Sequence, residues 1–295
     1  MAKENYFGVK SRIQGIEDIL DDPKQLEDIK EKTDIALASE YYEEAKEYAK
    51  TYGKFSGLRL GFSELDRLTG SFLPGEVMVI GGGTGYGKSL LAQNIAYKVA
   101  LQGMMTLFIT LEMTKEQTLS RMLLMCKDER EEAAVQSLVA FQRASNVTDK
   151  DVGILMKKAS EGGMSLVILD HLHFLPRGTD NVRTEISRIT KHFKECSVEY
   201  KIPVILLCHV SRSLEKGEKP DLRHLKESSS IEQDADMVGF VYRDKSKPDR
   251  KNIMEFYMRK NRSRELVYDP IEFIQTKWSL TEEPAWLPQV KKEMK

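Results

Sequence analysis

The 295-residue sequence predicts an α/β fold, a mainly parallel twisted sheet flanked by helices, preceded by a short N-terminal helical arm. Three observations carry this reading. From Gly57 onward, short β-branched and apolar runs alternate with helical patterns, as expected of parallel strands joined by crossover helices. A glycine-rich GxxxxGK[ST] motif, Gly82-Gly83-Thr84-Gly85-Tyr86-Gly87-Lys88-Ser89, lies between the first such strand and the first such helix. Residues 1–56 differ from the rest, holding more acids than bases, no tryptophan and few strand formers.

In the arm, Ile13, Ile16 and Leu20 fall at helical spacing, and Pro23 punctuates that segment. Leu37, Tyr41, Ala45 and Tyr48 mark a second helix that ends near Gly53. Each helix has one apolar stripe, which either caps the main domain's own core or docks on a neighbouring subunit. In the main domain, strands are expected at Val77–Gly81, Thr106–Leu111, Leu166–Leu169, Val204–Cys208 and Met237–Tyr242. Helices are expected at Ser89–Gln102, Lys115–Met125, Asp149–Gly162 and Arg183–Tyr200. Asn252–Trp278 reads as strands joined by a turn near Ser263. The resulting division is an arm at 1–56, the main domain at 57–280 and a tail at 281–295.

Composition excludes several classes of protein. Hydrophobic residues at 41% and charged residues at 31% suit a soluble domain with a sizeable core. The three cysteines, Cys126, Cys196 and Cys208, form no CxxC pair, which argues against a zinc ribbon or a disulfide framework and fits a reducing compartment. Apolar runs are too short to span a bilayer, and the N-terminus lacks a signal stretch and is too acidic for a transit peptide. The expectation is a cytoplasmic protein with no membrane contact. The net charge of −1 gives no global case for nucleic acid, although net charge hides a local basic strip.

The glycine-rich motif is read as a phosphate cradle for ATP. Its glycines let the backbone turn several N–H groups inward, and the following helix adds partial positive charge at its N-terminus. Lys88 then reaches the β and γ phosphates, and the Ser89 hydroxyl ligates Mg²⁺. Asp170 ends the apolar run Leu166–Leu169, and parallel strands end at one sheet edge, so Asp170 is expected beside the cradle as a second group holding the metal. Glu112 follows the strand Thr106–Leu111 at the same edge, where a carboxylate polarises the attacking water. Its alternative is an N-cap for the helix beginning near Thr114. His209 follows Val204–Cys208, either as a reporter of the γ-phosphate or as a structural histidine.

Four blocks give the chain a resemblance to a known family. They are Gly61–Asp66 with Leu73-Pro74-Gly75-Glu76; Thr110-Leu111-Glu112-Met113; Arg212–Glu215 with Leu225–Asp236; and Met258-Arg259-Lys260-Asn261-Arg262. In these the chain resembles the RecA-like motor domain of DnaB-type replicative helicases and the helicase half of phage primase-helicases. The resemblance covers about residues 57–280, and Ile231–Asp236 is its most specific block.

The resemblance implies a ring of six subunits around single-stranded DNA, ATP at the subunit interfaces and 5′-to-3′ movement. Lys260 and Arg262 would then be fingers reaching the γ-phosphate of a neighbour. Arg212, Lys216, Lys226, Glu227 and Ser229 would lie on or near the DNA-gripping loop. The family usually carries Arg at Lys226 and Gly at Ser229, so the grip is expected to differ. Asp170-His171-Leu172-His173 and His209 resemble the phage branch, which points to a virus or mobile element within a bacterial cell. The sequence shows no primase domain or large collar ahead of the motor, so the arm is expected to stabilise the ring, with a primase, loader or polymerase on separate chains. Two further readings share the cradle: a RecA- or RadA-like recombination ATPase, and an assembly or regulatory protein that binds nucleotide without unwinding.

Overall fold

The computed structural model describes residues 42–43, 45–46, 57–143, 147–172, 182–210, 218–225 and 229–282. The chain divides into two compact units, Met1–Phe55 and Ser56–Lys295. In the first unit the four described residues are helical, within the second expected arm helix. The Ile13–Leu20 segment lies outside the described residues.

In the second unit the strands are β1 (Val77–Gly82), β2 (Thr106–Thr110), β3 (Val139–Arg143), β4 (Leu166–Asp170), β5 (Val204–His209), β6 (Met237–Tyr242), β7 (Ile253–Asn261), β8 (Ile271–Thr276) and β9 (Ser279–Glu282). They form one sheet of order β3-β2-β4-β5-β1-β6-β7-β8-β9. Strands β1 to β6 are parallel, and β7, β8 and β9 extend the sheet antiparallel. The helices are α1 (Ser63–Thr69), α2 (Lys88–Leu101), α3 (Lys115–Leu123), α4 (Glu129–Leu138), α5 (Asp149–Glu161), α6 (Val182–Tyr200) and α7 (Ser229–Asp234).

Side chains alternate across a strand, so each buried strand feeds two cores. Met78 and Ile80 of β1 face one layer, with Leu91 and Ile95 of α2, Phe108, Ile168 and Phe256. Val77 and Val79 face the other, with Val167, Leu169, Met156 of α5 and Phe193 of α6. This two-sided burial is why the strands read as continuous apolar runs.

The expected strands and helices are present with ends shifted by a few residues. Five elements were not anticipated: the short helices α1 and α7, helix α4, and strands β3 and β9. Asp128 caps α4 by accepting from the Arg130 and Glu131 amides, and β3 then follows directly as an edge strand. Strand β9 runs through Glu282, two residues into the stretch read as a tail. Its Glu282 carboxylate accepts from Glu64 N, Leu65 N and the Ser63 hydroxyl at 2.8–3.1 Å, capping the start of α1. Among the described residues, no helix is long and apolar enough to cross a membrane.

One buried carboxylate joins three elements. Asp236 Oδ2 accepts from Val77 N at 2.8 Å and from Lys194 Nζ of α6 at 2.7 Å, and Oδ1 lies 3.3 Å from the Arg262 guanidinium just past β7. Asp236→Ala leaves a buried amide and a half-buried ammonium without this acceptor. We expect a loss of about 2–4 kcal/mol in urea denaturation, with Asp236→Asn losing less because its amide oxygen still accepts. An unchanged midpoint for the alanine variant would refute the role.

Candidate active site

The register of the parallel strands assembles the site. Gly82 of β1 is paired with His209 of β5, and Thr110 of β2 with Asp170 of β4. Glu112 follows Thr110 by two residues, and Leu111 N donates to Asp170 O at 2.8 Å, which holds the two strand ends together. The glycine-rich loop, Glu112, Asp170 and His209 therefore meet at one edge, the usual ligand edge of an open α/β sheet. A cavity of about 340 Å³ lies there, lined by Thr84, Gly85, Gly87, Lys88, Ser89, Glu112, His171 and His209 among others.

The cradle depends on backbone conformations that side chains resist. Gly87, the N-cap of α2, has φ +107°, and a Cβ there would meet Met254 Sδ at 2.7 Å. The Gly82 and Gly83 carbonyls accept from Lys88 Nζ at 2.8 and 3.2 Å. The Tyr86 ring packs edge-on against Tyr242, with ring centroids 5.6 Å apart. Burial pushes the Lys88 ammonium below its ordinary pKa, opposed by the negative charges of Asp170 and Glu112.

Ser89 and Asp170 suit a magnesium ion. Asp170 is 1% exposed and hydrogen-bonded to the Ser89 side chain, yet its Oδ1 is buried with no hydrogen-bond partner among the described residues. Burial raises its pKa to about 6, against the pull of Ser89; nearby Glu112 raises it further, while Lys88 and Arg121 lower it. A buried, under-satisfied carboxylate beside a hydroxyl is a site that a cation would relieve. Among the described residues no cluster of three or more His, Cys, Asp or Glu could hold a metal. Mg²⁺ shared with phosphates needs only one or two protein oxygens.

Glu112 does not cap the next helix. Thr114 is the N-cap of α3, in a capping box with Gln117, so that alternative is closed. The Glu112 side chain is half-exposed at the cavity, with Oε2 3.5 Å from His171 Nε2. His209 links two groups: its Nδ1 is 3.2 Å from Lys88 Nζ and its Nε2 is 2.9 Å from His171 Nε2.

Of the polar residues lining the cavity, Arg121, Arg243 and Gln275 were not singled out in the sequence, and His171 was noted there only within the Asp170–His173 run. Arg243 directly follows β6, as His209 ends β5, so the strand-end rule would have found it. Its guanidinium bonds Tyr86 O at 3.1 Å, Lys251 O at 3.2 Å and Gln275 Oε1 at 2.5 Å. Arg121 lies inside α3 with its guanidinium 4.4 Å above the Trp278 ring, and no local pattern announces it.

Compared with known families, residues 57–151 and 130–280 match the model of the DnaB-like helicase C terminal domain. The chain belongs to this family. Similar relatives are the replicative DNA helicase DnaC of Bacillus subtilis (strain 168), 30% identical over 260 residues (75% of this chain, 56% of the relative), and the replicative DNA helicase DnaB of Geobacillus stearothermophilus, 30% identical over 249 residues (72% and 53%). The chain thus spans about half the length of these relatives. Among solved structures, an isolated ATPase domain superposes with a TM-score of 0.73 at 21% identity, covering 85% of this chain and 100% of that one. A DnaB-like replicative helicase, from a structure that addresses its interactions with primase, gives 0.72 at 20%, covering 94% and 76%. Both likenesses confirm the fold.

Within this DnaB-like domain, Lys260 and Arg262 do not reach the chain's own cradle. Lys260 Nζ donates to Ala235 O at 2.7 Å and to Glu232 O, and Arg262 donates to Gln233 O and pairs with Asp236. Both cations thus sit at the C-terminal end of α7, where cations are favoured. Arg212, Lys216, Lys226 and Glu227 lie outside the described residues. Ser229 is the first residue of α7, and its side chain is not described.

The raised pKa of Asp170 sets a pH test. A carboxyl that binds its proton more tightly folded than unfolded costs stability once ionised, so this cost is absent below about pH 4 and complete above about pH 6. Asp170→Asn should therefore raise the melting temperature without metal or nucleotide by about 2 °C or more at pH 8, and by less at pH 4.5. Equal shifts at both values would contradict the buried, ionisable assignment.

Proposed function

We propose that this domain is the ATP-driven motor of a ring-forming replicative DNA helicase that moves 5′ to 3′ on single-stranded DNA. The observation carrying this reading is the meeting, at one sheet edge of a DnaB-like domain, of a phosphate cradle, a Ser89–Asp170 pair and the half-exposed Glu112 carboxylate. Amides of Gly83 to Ser89 and the Lys88 ammonium bind the triphosphate. Ser89 and Asp170 would hold Mg²⁺, which when bound neutralises charge on the phosphate oxygens. Glu112 orients the attacking water and takes its proton. His209, touching Lys88, senses the γ-phosphate.

Lys260 and Arg262 act on a neighbouring subunit's nucleotide, which accords with their distance from the cradle of their own chain. The partners proposed are five further copies of the chain, single-stranded DNA gripped near Arg212, Lys216, Lys226, Glu227 and Ser229, and a separate primase, loader or polymerase. A RecA- or RadA-like recombinase would share the cradle, but the family match favours the helicase motor.

ATPase rate measured against single-stranded DNA, with mass by light scattering in the same buffer, tests the reading. DNA stimulation together with an ATP-dependent hexamer-sized particle is expected. An ATP-binding chain with no DNA-stimulated turnover would instead favour an assembly protein. Arg262→Ala should lower kcat by roughly 10³-fold or more, with ATP affinity nearly intact. Mixing it with Glu112→Ala should restore part of the turnover, because some interfaces then combine an intact carboxylate with an intact finger. No recovery at any mixing ratio would refute action between subunits.

A further inference from the structure

Four side chains form an unbroken series across the cavity: Lys88, His209, His171 and Glu112, with successive separations of 3.2, 2.9 and 3.5 Å. The two imidazoles meet edge to face, their centroids 4.2 Å apart. His171 is buried, whereas Glu112 is half-exposed. A carboxylate with that much exposure has many rotamers, so something fixed must hold it where water is activated. The only titratable ring between Glu112 and the phosphate-facing pair Lys88–His209 in this series is His171.

We propose that His171 is a positioning residue that ties the placement of Glu112 to occupancy of the γ-phosphate site, acting through His209. This rests on the ATPase reading of the same cavity. Hydrogen counting gives it a direction. At 2.9 Å one N–H must lie between the two Nε2 atoms. An ammonium has only hydrogens to offer, so His209 accepts from Lys88 at Nδ1, and the neutral ring donates from Nε2 to His171. His171 Nε2 then presents a lone pair and has no hydrogen for Glu112.

A γ-phosphate competes for Lys88 and is itself an acceptor. His209 facing it donates from Nδ1 and accepts at Nε2, so His171 now carries its hydrogen on Nε2, where His209 Nε2 and Glu112 Oε2 share it. Each ring moves one hydrogen between its own nitrogens by way of the cavity that both rings line. No net proton is gained or lost, and both rings stay neutral. The carboxylate thus faces a shared N–H when a triphosphate is present and a lone pair, which repels it, when the γ-phosphate leaves.

The test compares His171→Phe, which keeps the ring's bulk, with His171→Gln, which keeps a donor and acceptor near the Nε2 position. For His171→Phe, kcat should fall by about 10-fold or more while the Kd for a non-hydrolysable ATP analogue with Mg²⁺ stays within about 2-fold. His171→Gln should recover kcat to within about 3-fold of the parent chain. Combining His171→Phe with His209→Ala should cost no more than about 2-fold beyond His209→Ala alone, because both break one relay.

Multiplying effects in the double variant, or equal losses of affinity and kcat, would overturn the relay. So would failure of the glutamine variant to recover at an unchanged melting temperature. A parent chain that does not turn over ATP would instead refute the ATPase reading. In that case ¹⁵N imidazole shifts judge the relay on their own: His171 and His209 should exchange tautomers on adding the ATP analogue with Mg²⁺ but not ADP with Mg²⁺, and unchanged shifts would overturn the proposal.

Discussion

Strand register is the constraint on which the site depends. Two pairings, Gly82 with His209 and Thr110 with Asp170, joined by the β4–β5 register that sets Leu169 opposite Leu206, bring four strand ends to one edge. Because side chains alternate with period two, a slip of one residue in β4 would turn Asp170 into the core and bring Leu169 toward Ser89. The alternating cores prevent this slip, since Val167 and Leu169 pack in one layer and Leu166 and Ile168 in the other. Apolar burial far from the cavity therefore fixes where the carboxylate sits.

The antiparallel extension is bound into the same unit by polar contacts. Glu282 of β9 caps α1, Arg243 ties the Tyr86 carbonyl to Gln275 of β8, and Asp236 joins β1 to α6 and to the end of β7. Each is a charged group paired with backbone, a side-chain amide or an opposite charge, the kind of bond that costs most to break when buried. They give β7, β8 and β9 a fixed relation to the cradle.

Much of this was legible in the sequence. The strands that supply the site are apolar runs of four to six residues ended by a polar group, and the cradle motif lay between a strand and a helix as its chemistry requires. What escaped had physical reasons. Edge strand β3 is half-buried and short, so its run Val139–Arg143 lacks the apolar density of the central strands. Arg121 and Gln275 reach the cavity from a helix interior and from the extension, by tertiary packing that no local pattern encodes. Glu112 showed the opposite case. Both a cap and a catalytic reading fit a carboxylate at a strand end, the pattern favoured the catalytic one, and the Thr114–Gln117 capping box removes the cap. The DNA-loop residues rested on resemblance alone.

The position of Arg262 has one more consequence. Its amide donates to Asp236 O, whose own amide donates to Val77 O, so Arg262 is level with the start of β1. Gly82 lies five residues further along that strand (82 − 77 = 5), about 16 Å at roughly 3.3 Å per residue. With Arg262 read as a finger, an isolated subunit holds both halves of its machinery but cannot bring them together. Specific activity would then depend on protein concentration, falling away on dilution as assemblies separate. Unassembled copies would hold ATP without spending it, and idle consumption of fuel would be limited by geometry without any separate inhibitor.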